Sequence, residues 1–288
     1  MSKLFVLFFA FGFFVTDTAS AQNHAHTHSA CPIHVLEEMI PAERLLGNGV
    51  SAMNDATLTH YHNEPAVYLK TNSQNLNPAT LKKTSLGLYN KLSRMDVKEA
   101  YKTLETFEQK KANFYKLSAQ AKINLRGGQM FNETFEETAT NAVANNLINF
   151  DRLHQASLLT FEGHPILPKP YAFVRNTDHL PVGSIIEYIH GDTLMKAVEQ
   201  RKLNEAQYKE VFRQIRGELE TLHHHGFVHG DINEANIMVD LADSDHPHVR
   251  LIDMTYEADS KKNTPAKDWE ELQRVADMMG YRENFLPH

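Results

Sequence analysis

Cysteine and tryptophan are almost absent: Cys31 and Trp269 are the single examples in 288 residues. One cysteine excludes an internal disulfide framework and any zinc site built from several thiolates. Positive charge is also short, with 29 Lys plus Arg against 36 Asp plus Glu and a formal charge of -7. That balance excludes a nucleic-acid binder driven by a basic excess. No apolar run reaches the roughly 20 residues of a membrane-spanning helix, and no stretch recurs as a repeat. What is present is a globular composition, 42% apolar, enough to bury the core of one large domain or two modest ones.

Residues 1–21 combine Lys3, an apolar run from Leu4 to Val15 and the small residues Ala19, Ser20 and Ala21. This is the three-part pattern of a secretory signal peptide. The expectation is a secreted or periplasmic protein with no stable membrane anchor after cleavage. The following segment, 22–44, carries His24, His26, His28, Cys31 and His34. It reads either as a loose mature terminus or as ligands for a soft or borderline metal ion. Cys31 is a free thiol or an intermolecular disulfide partner.

Strands and turns are expected between Leu45 and Thr71, where Gly, Asn and β-branched residues alternate with short apolar runs. From Pro78 to Lys122, Leu81, Leu88, Leu92, Tyr101, Leu104, Phe107 and Phe114 recur at helical spacing, which predicts a pair of amphipathic helices. Another helix is expected from Asn132 to about Leu159, then strands at 171–174 and 184–189. A long helix ends near His225, before Gly226. The runs NIMVD and VRLID, separated by DSDHPH, predict a hairpin.

The chemistry concentrates in HGDINEAN, which sets Asp231 and Asn236 five residues apart in a loop between helix and strand, and in LID, which adds Asp253. Phosphoryl transfer needs a carboxylate to orient and deprotonate a hydroxyl, and hard oxygen ligands for Mg²⁺ beside the nucleotide phosphates. Asp231 suits the first task, and Asn236 with Asp253 the second. The competing reading is a turn in which Asp and Asn cap the backbone.

At these residues the chain resembles the protein-kinase-like superfamily, whose catalytic loop has the form His-x-Asp followed by Asn. Other segments are similar in the same order. Gly47 and Gly49 of LLGNGVSA resemble the glycine-rich loop over the phosphates, and Lys70, ending EPAVYLK, resembles the strand lysine that binds them. The resemblance implies a helix glutamate paired with Lys70, for which Glu137 is preferred over Glu133 and Glu136. GSIIEYIHGDTL is similar to the strand and hinge between two lobes. There Ile186 would back the adenine pocket, the backbones of Glu187 and Ile189 would face the adenine edge, and Asp192 would lie near the ribose. The cofactors implied are ATP and Mg²⁺.

Several positions depart from the family pattern. Ala52 stands at the third glycine, Asn233 at a lysine that contacts the transferred phosphate, and Met254 and Thr255 follow Asp253. No Ala-Pro-Glu motif follows, and residues 254–288 cannot hold the usual substrate-docking helices. Asp268 is expected to brace the catalytic loop, His229 to be structural, and His223, His224 and His225 to complement the helix dipole.

The expected fold is α+β and bilobal, kinase-like over 45–288: a β-rich N-lobe at 45–186 with a helical insertion at 78–122, and a truncated helical C-lobe at 190–288. It resembles the minimal kinases exported by some bacteria. Three functions stay open. The first is an exported protein kinase acting on hydroxyl side chains of a partner protein, with a protein substrate or an activating partner expected. The second is a small-molecule kinase similar to aminoglycoside phosphotransferases, and the third a pseudokinase or AMP-transferring protein. Export raises the question of ATP supply, which delivery into a host cell would answer.

Overall fold

Two glycine-free positive-φ residues, His62 (φ 50°) and Asn63 (φ 68°), turn the chain between strands β3 (Ala56–Tyr61) and β4 (Glu64–Lys70). A two-residue turn with both φ positive matches the right-handed twist of the strands it joins. The computed structural model describes residues 35–36, 43–44, 56–70, 78–118, 120–121, 134–175, 179–243, 246–256 and 264–286. Gly47, Gly49, Ala52, Glu133 and the His-rich residues 24, 26, 28, 31 and 34 lie outside them, as does the expected signal peptide.

The hairpin is part of a six-stranded sheet in the order β1-β7-β8-β4-β3-β2. The remaining members are β1 (Val35–Leu36), β2 (Glu43–Arg44), β7 (Pro170–Arg175) and β8 (Pro181–Glu187). Side chains alternate across its faces, as a period of two requires. Ala66, Tyr68, Ala172, Val174 and Ile185 pack together on one face. Phe173 points the other way and meets Phe150 edge-on, with ring centroids 5.7 Å apart.

That second face is covered by helix α4 (Phe135–Ala156), opened by a capping box between Thr134 and Glu137. Among the described residues the insertion holds three full helices where a pair was expected: α1 (Pro78–Thr84), α2 (Leu86–Arg94) and α3 (Val97–Lys116). The physical reason is local. Ser85 accepts from Leu88 N at 3.2 Å and Asp96 from Glu99 N at 2.8 Å, so each side chain starts a new helix and interrupts the apolar periodicity. The insertion shares one core with α4, where Leu81, Leu88, Leu92, Met95 and Leu104 pack with Val143, Leu147 and Ile148. Arg175 locks it to the sheet by donating to Ser93 O, Met95 O and His179 O at 3.0, 2.7 and 2.8 Å.

The C-terminal part is mostly helical. After the short hairpin β5 (Thr160–Phe161) and β6 (His164–Pro165) come β9 (Asp192–Thr193), α5 (Leu194–Glu199) and α6 (Glu205–His224). The predicted second hairpin is present, β10 (Ile237–Asp240) pairing antiparallel with β11 (His248–Leu251), and α7 (Pro265–Met278) closes the fold. Gly217 of α6 lies against Phe161; a Cβ there would fall 2.2 Å from the ring, so only glycine admits this contact. Among the described residues, no helix is long and apolar enough to cross a membrane. The architecture is the expected mixed α+β one, with a sheet-rich N-terminal part and a helical C-terminal part.

Candidate active site

The loop from His229 to Asn236 leaves the end of α6 and enters β10, and glycine is needed at its second position because Gly230 has φ 84°. The side chains of α7 hold this loop by its backbone. Asp268, fully buried, accepts from His229 N at 2.9 Å and Gly230 N at 2.8 Å, as expected for a brace. Glu271 accepts from Ile232 N at 2.8 Å, and Lys267 Nζ donates to Gly230 O. His223, expected to act on the helix dipole alone, also holds Asp268, with Nε2 2.8 Å from Oδ2.

Within the loop, Asn233 Oδ1 accepts from Ala235 N at 3.0 Å and Asn236 N at 3.1 Å, forming a side-chain-closed turn. That turn aims Asn236 back at Asp231: Nδ2 donates to Asp231 O at 3.0 Å and to Oδ2 at 2.9 Å. The amide oxygen Oδ1 is left without a partner among the described residues. The adjoining strand brings in the second carboxylate. Ile252 N donates to Asn236 O at 2.9 Å and Thr255 N to His229 O at 2.8 Å, which seats Asp253 beside the loop. Asp253 has φ 61°, a left-handed backbone that costs a non-glycine residue about 1–3 kcal/mol and clusters at functional sites.

Asp253 keeps solvent-exposed surface while neighbouring protein crowds its carboxyl. Loss of hydration, then the negative charge of Asp231, push its carboxyl above the ordinary range. A divalent cation fits this donor set. Asn236 Oδ1 and the Asp253 carboxylate are hard oxygens, and a cation would remove the repulsion between the two acids. Among the described residues, no group of three or more His, Cys, Asp or Glu could hold a metal ion; Mg²⁺ is commonly held by one or two side chains together with substrate phosphates. Met254 is buried in the C-terminal core. His229 is fully buried, both ring nitrogens lack a well-formed hydrogen bond, and burial pushes its pKa down. These features keep it a neutral packing element.

The remaining expected residues fall in two groups. Lys70 ends β4 opposite Gly183 of β8, on the strand next to the hinge; its side chain lies outside the described residues. Tyr188 N donates to Pro65 O at 3.4 Å across β4, so the N–H and C=O of Glu187 point to the opposite edge of β8. Lys169 O takes that N–H at 2.8 Å. The Glu187 side chain turns away to Arg250, with paired contacts of 2.7 and 2.8 Å. Burial opposes its charge, but hydrogen bonds from Arg250 and Lys169 outweigh burial and hold its carboxyl below the usual range.

Glu137 and Asp192 are engaged elsewhere. The described partners of Glu137 are Lys110 of α3 and the cap residue Thr134. Asp192 pairs with Lys196 at 2.6 Å and with Lys202, and those hydrogen bonds depress its pKa. Sequence reasoning passed over Lys267, Glu271 and Asn149, whose Oδ1 accepts from Tyr256 N at 2.8 Å. The spacing of Lys267, Asp268 and Glu271 on one helix face was the available signal for the first two.

Residues 153–272, from the end of α4 into α7, match the family model of the protein kinase domain. Among solved structures, the chain is similar to the kinase domain of maize sucrose-induced receptor kinase 1 bound to AMP-PNP. The two are 19% identical over 46% of this chain and 45% of that one, with a TM-score of 0.29. The chain therefore spans less than half the length of that kinase chain. No curated protein matches.

Proposed function

We propose, from the match of residues 153–272 to the protein kinase domain, that this chain transfers the γ-phosphate of Mg²⁺-ATP to a hydroxyl side chain of a partner protein. The observation that carries the reading is the loop geometry that bonds Asn236 to Asp231 at 2.9 Å and, through Ile252 N on Asn236 O and Thr255 N on His229 O, seats Asp253 beside that loop.

Asp231 orients the acceptor hydroxyl and takes its proton as the new O–P bond forms. The bond between the γ-phosphorus and the bridging oxygen breaks, and its electron pair leaves on ADP. Asn236 and Asp253 would hold Mg²⁺, which when bound neutralises phosphate charge. The Glu187 carbonyl and the Ile189 backbone receive the adenine edge, and Lys70, Gly47 and Gly49 attend the phosphates. Asn236 also fixes the rotamer of Asp231, so one amide serves both acid and metal.

A protein acceptor is favoured by the insertion, three helices packed on α4 with an exposed outer surface. The signal-peptide pattern of residues 1–21 leads us to propose export, with activity in a compartment that contains ATP. The test is incubation of the mature protein with γ-labelled and α-labelled ATP, Mg²⁺ and a cell lysate. Label from the γ position on protein supports the proposal. γ label on a small metabolite, or α label on protein, replaces it with metabolite phosphorylation or AMP transfer.

A further inference from the structure

The loop carrying Asp231 lacks a cation of its own. Asn233 is uncharged, and its side chain is committed to the turn through Ala235 N, Asn236 N and, at 3.4 Å, Asp231 O. Negative charge is dense here. Asp253 and Glu271 both feel Asp231, and Glu271 also feels Asp268. A transferring phosphoryl group placed among these acids needs preorganised positive charge aimed at its oxygens.

Lys267 is placed to supply it. Among the described residues it is the only Lys or Arg whose side chain hydrogen-bonds to residues 229–236, through Nζ on Gly230 O, one residue before Asp231. The ammonium also lies 3.6 Å from Glu271 Oε1, and the side chain is 28% exposed. An ammonium has three N–H donors, so one is left for a ligand. The placement carries a local cost. Lys267 N donates to the cap hydroxyl of Thr264 at 3.3 Å, which sets a cation in the first turn of α7, where the helix dipole favours anions. Residues that break a local preference are expected at functional positions.

We propose that Lys267 is a further catalytic residue, its ammonium contacting the γ-phosphate beside Asp231 and doing from α7 what residue 233 cannot do from the loop. This rests on the phosphotransfer reading above and names the group that stabilises the transferred phosphate.

Wild type, Lys267→Met and Lys267→Arg are compared by equilibrium titration with Mg²⁺-ATP and Mg²⁺-ADP, by thermal melting and by turnover of γ-labelled ATP. Met keeps the stem and removes the charge. The expected result is a preference for ATP over ADP in wild type that falls about tenfold in Lys267→Met, with a fall in kcat of at least about tenfold. ADP affinity stays near wild type, Tm falls as Gly230 O loses its donor, and Arg restores Tm and most of the preference. An unchanged ATP-to-ADP ratio in Lys267→Met overturns the inference. So does a lowered Tm with no recovery in Arg, the result for a residue that only braces the loop. Wild type that binds ATP without turnover sinks the phosphotransfer reading, while the binding ratio still decides Lys267. Wild type that binds no nucleotide overturns both.

Discussion

His223 Nε2 lies 2.8 Å from Asp268 Oδ2, joining the last turn of α6 to the first turn of α7 beneath the catalytic loop. Asp268 also receives the N–H groups of His229 and Gly230, so three donors surround one fully buried carboxylate. Asp268→Ala strands two buried N–H groups at about 1–3 kcal/mol each. Urea unfolding should show a loss of about 3 kcal/mol or more; a loss under about 1 kcal/mol would show that the loop holds its shape unaided.

Asp231→Ala should abolish phosphate transfer while leaving Mg²⁺-ATP affinity within a few fold, because the proposed role of its carboxylate is to orient the acceptor. Asp253→Ala should remove the metal-dependent part of ATP binding. Its folded pKa is raised, so its charged form weakens the fold as pH rises above the ordinary value of 3.8. The Tm of Asp253→Ala without nucleotide at neutral pH should therefore equal or exceed that of wild type. Calorimetric titration and melting separate the two variants, and persistence of turnover in both would defeat the assignment.

Glu137→Gln tests the helix glutamate. The Glu137 carboxylate joins Lys110 and closes the capping box at Thr134. Stability should fall by about 0.5–1 kcal/mol. ATP affinity should stay within about twofold, or roughly 0.4 kcal/mol. A tenfold loss of ATP affinity would instead assign Glu137 to the phosphate site.

Glu218 in α6 is 3% exposed, and burial pushes its pKa well above the ordinary 4.5, with Arg250 opposing that shift. Because the folded pKa is raised, its contribution to stability is fully present below the unfolded value and is lost as pH rises through the folded one. Glu218→Gln should remove that decline, so its stability relative to wild type should grow with pH. Unfolding in urea at pH 5 and pH 9 measures this; a difference that shrinks toward pH 9 would mean that Arg250 keeps Glu218 charged.

Much of this was legible in sequence wherever the signal was local. The spacing within HGDINEAN, the two runs of the hairpin and Gly226 after a long helix each depend on neighbours within a few residues, and the structure builds each one. The insertion was legible as helical, but the breaks that separate α1, α2 and α3 were not, because the caps at Ser85 and Asp96 outcompete an apolar period that runs through both. The resemblance points to Glu137 through its place on a helix, but the contact with Lys110, 27 residues away in sequence, leaves no local trace.

The amino-acid order alone determined which side chains could do the chemistry and the sequence in which they appear, since residue type and short-range spacing are properties of the chain. Tertiary structure decided which of them meet. Tyr256 reaches Asn149 across 107 residues, and Asp268 reaches His229 across 39. Such contacts arise when burying apolar faces brings distant segments together and leaves their polar groups to satisfy one another. No local pattern records that outcome.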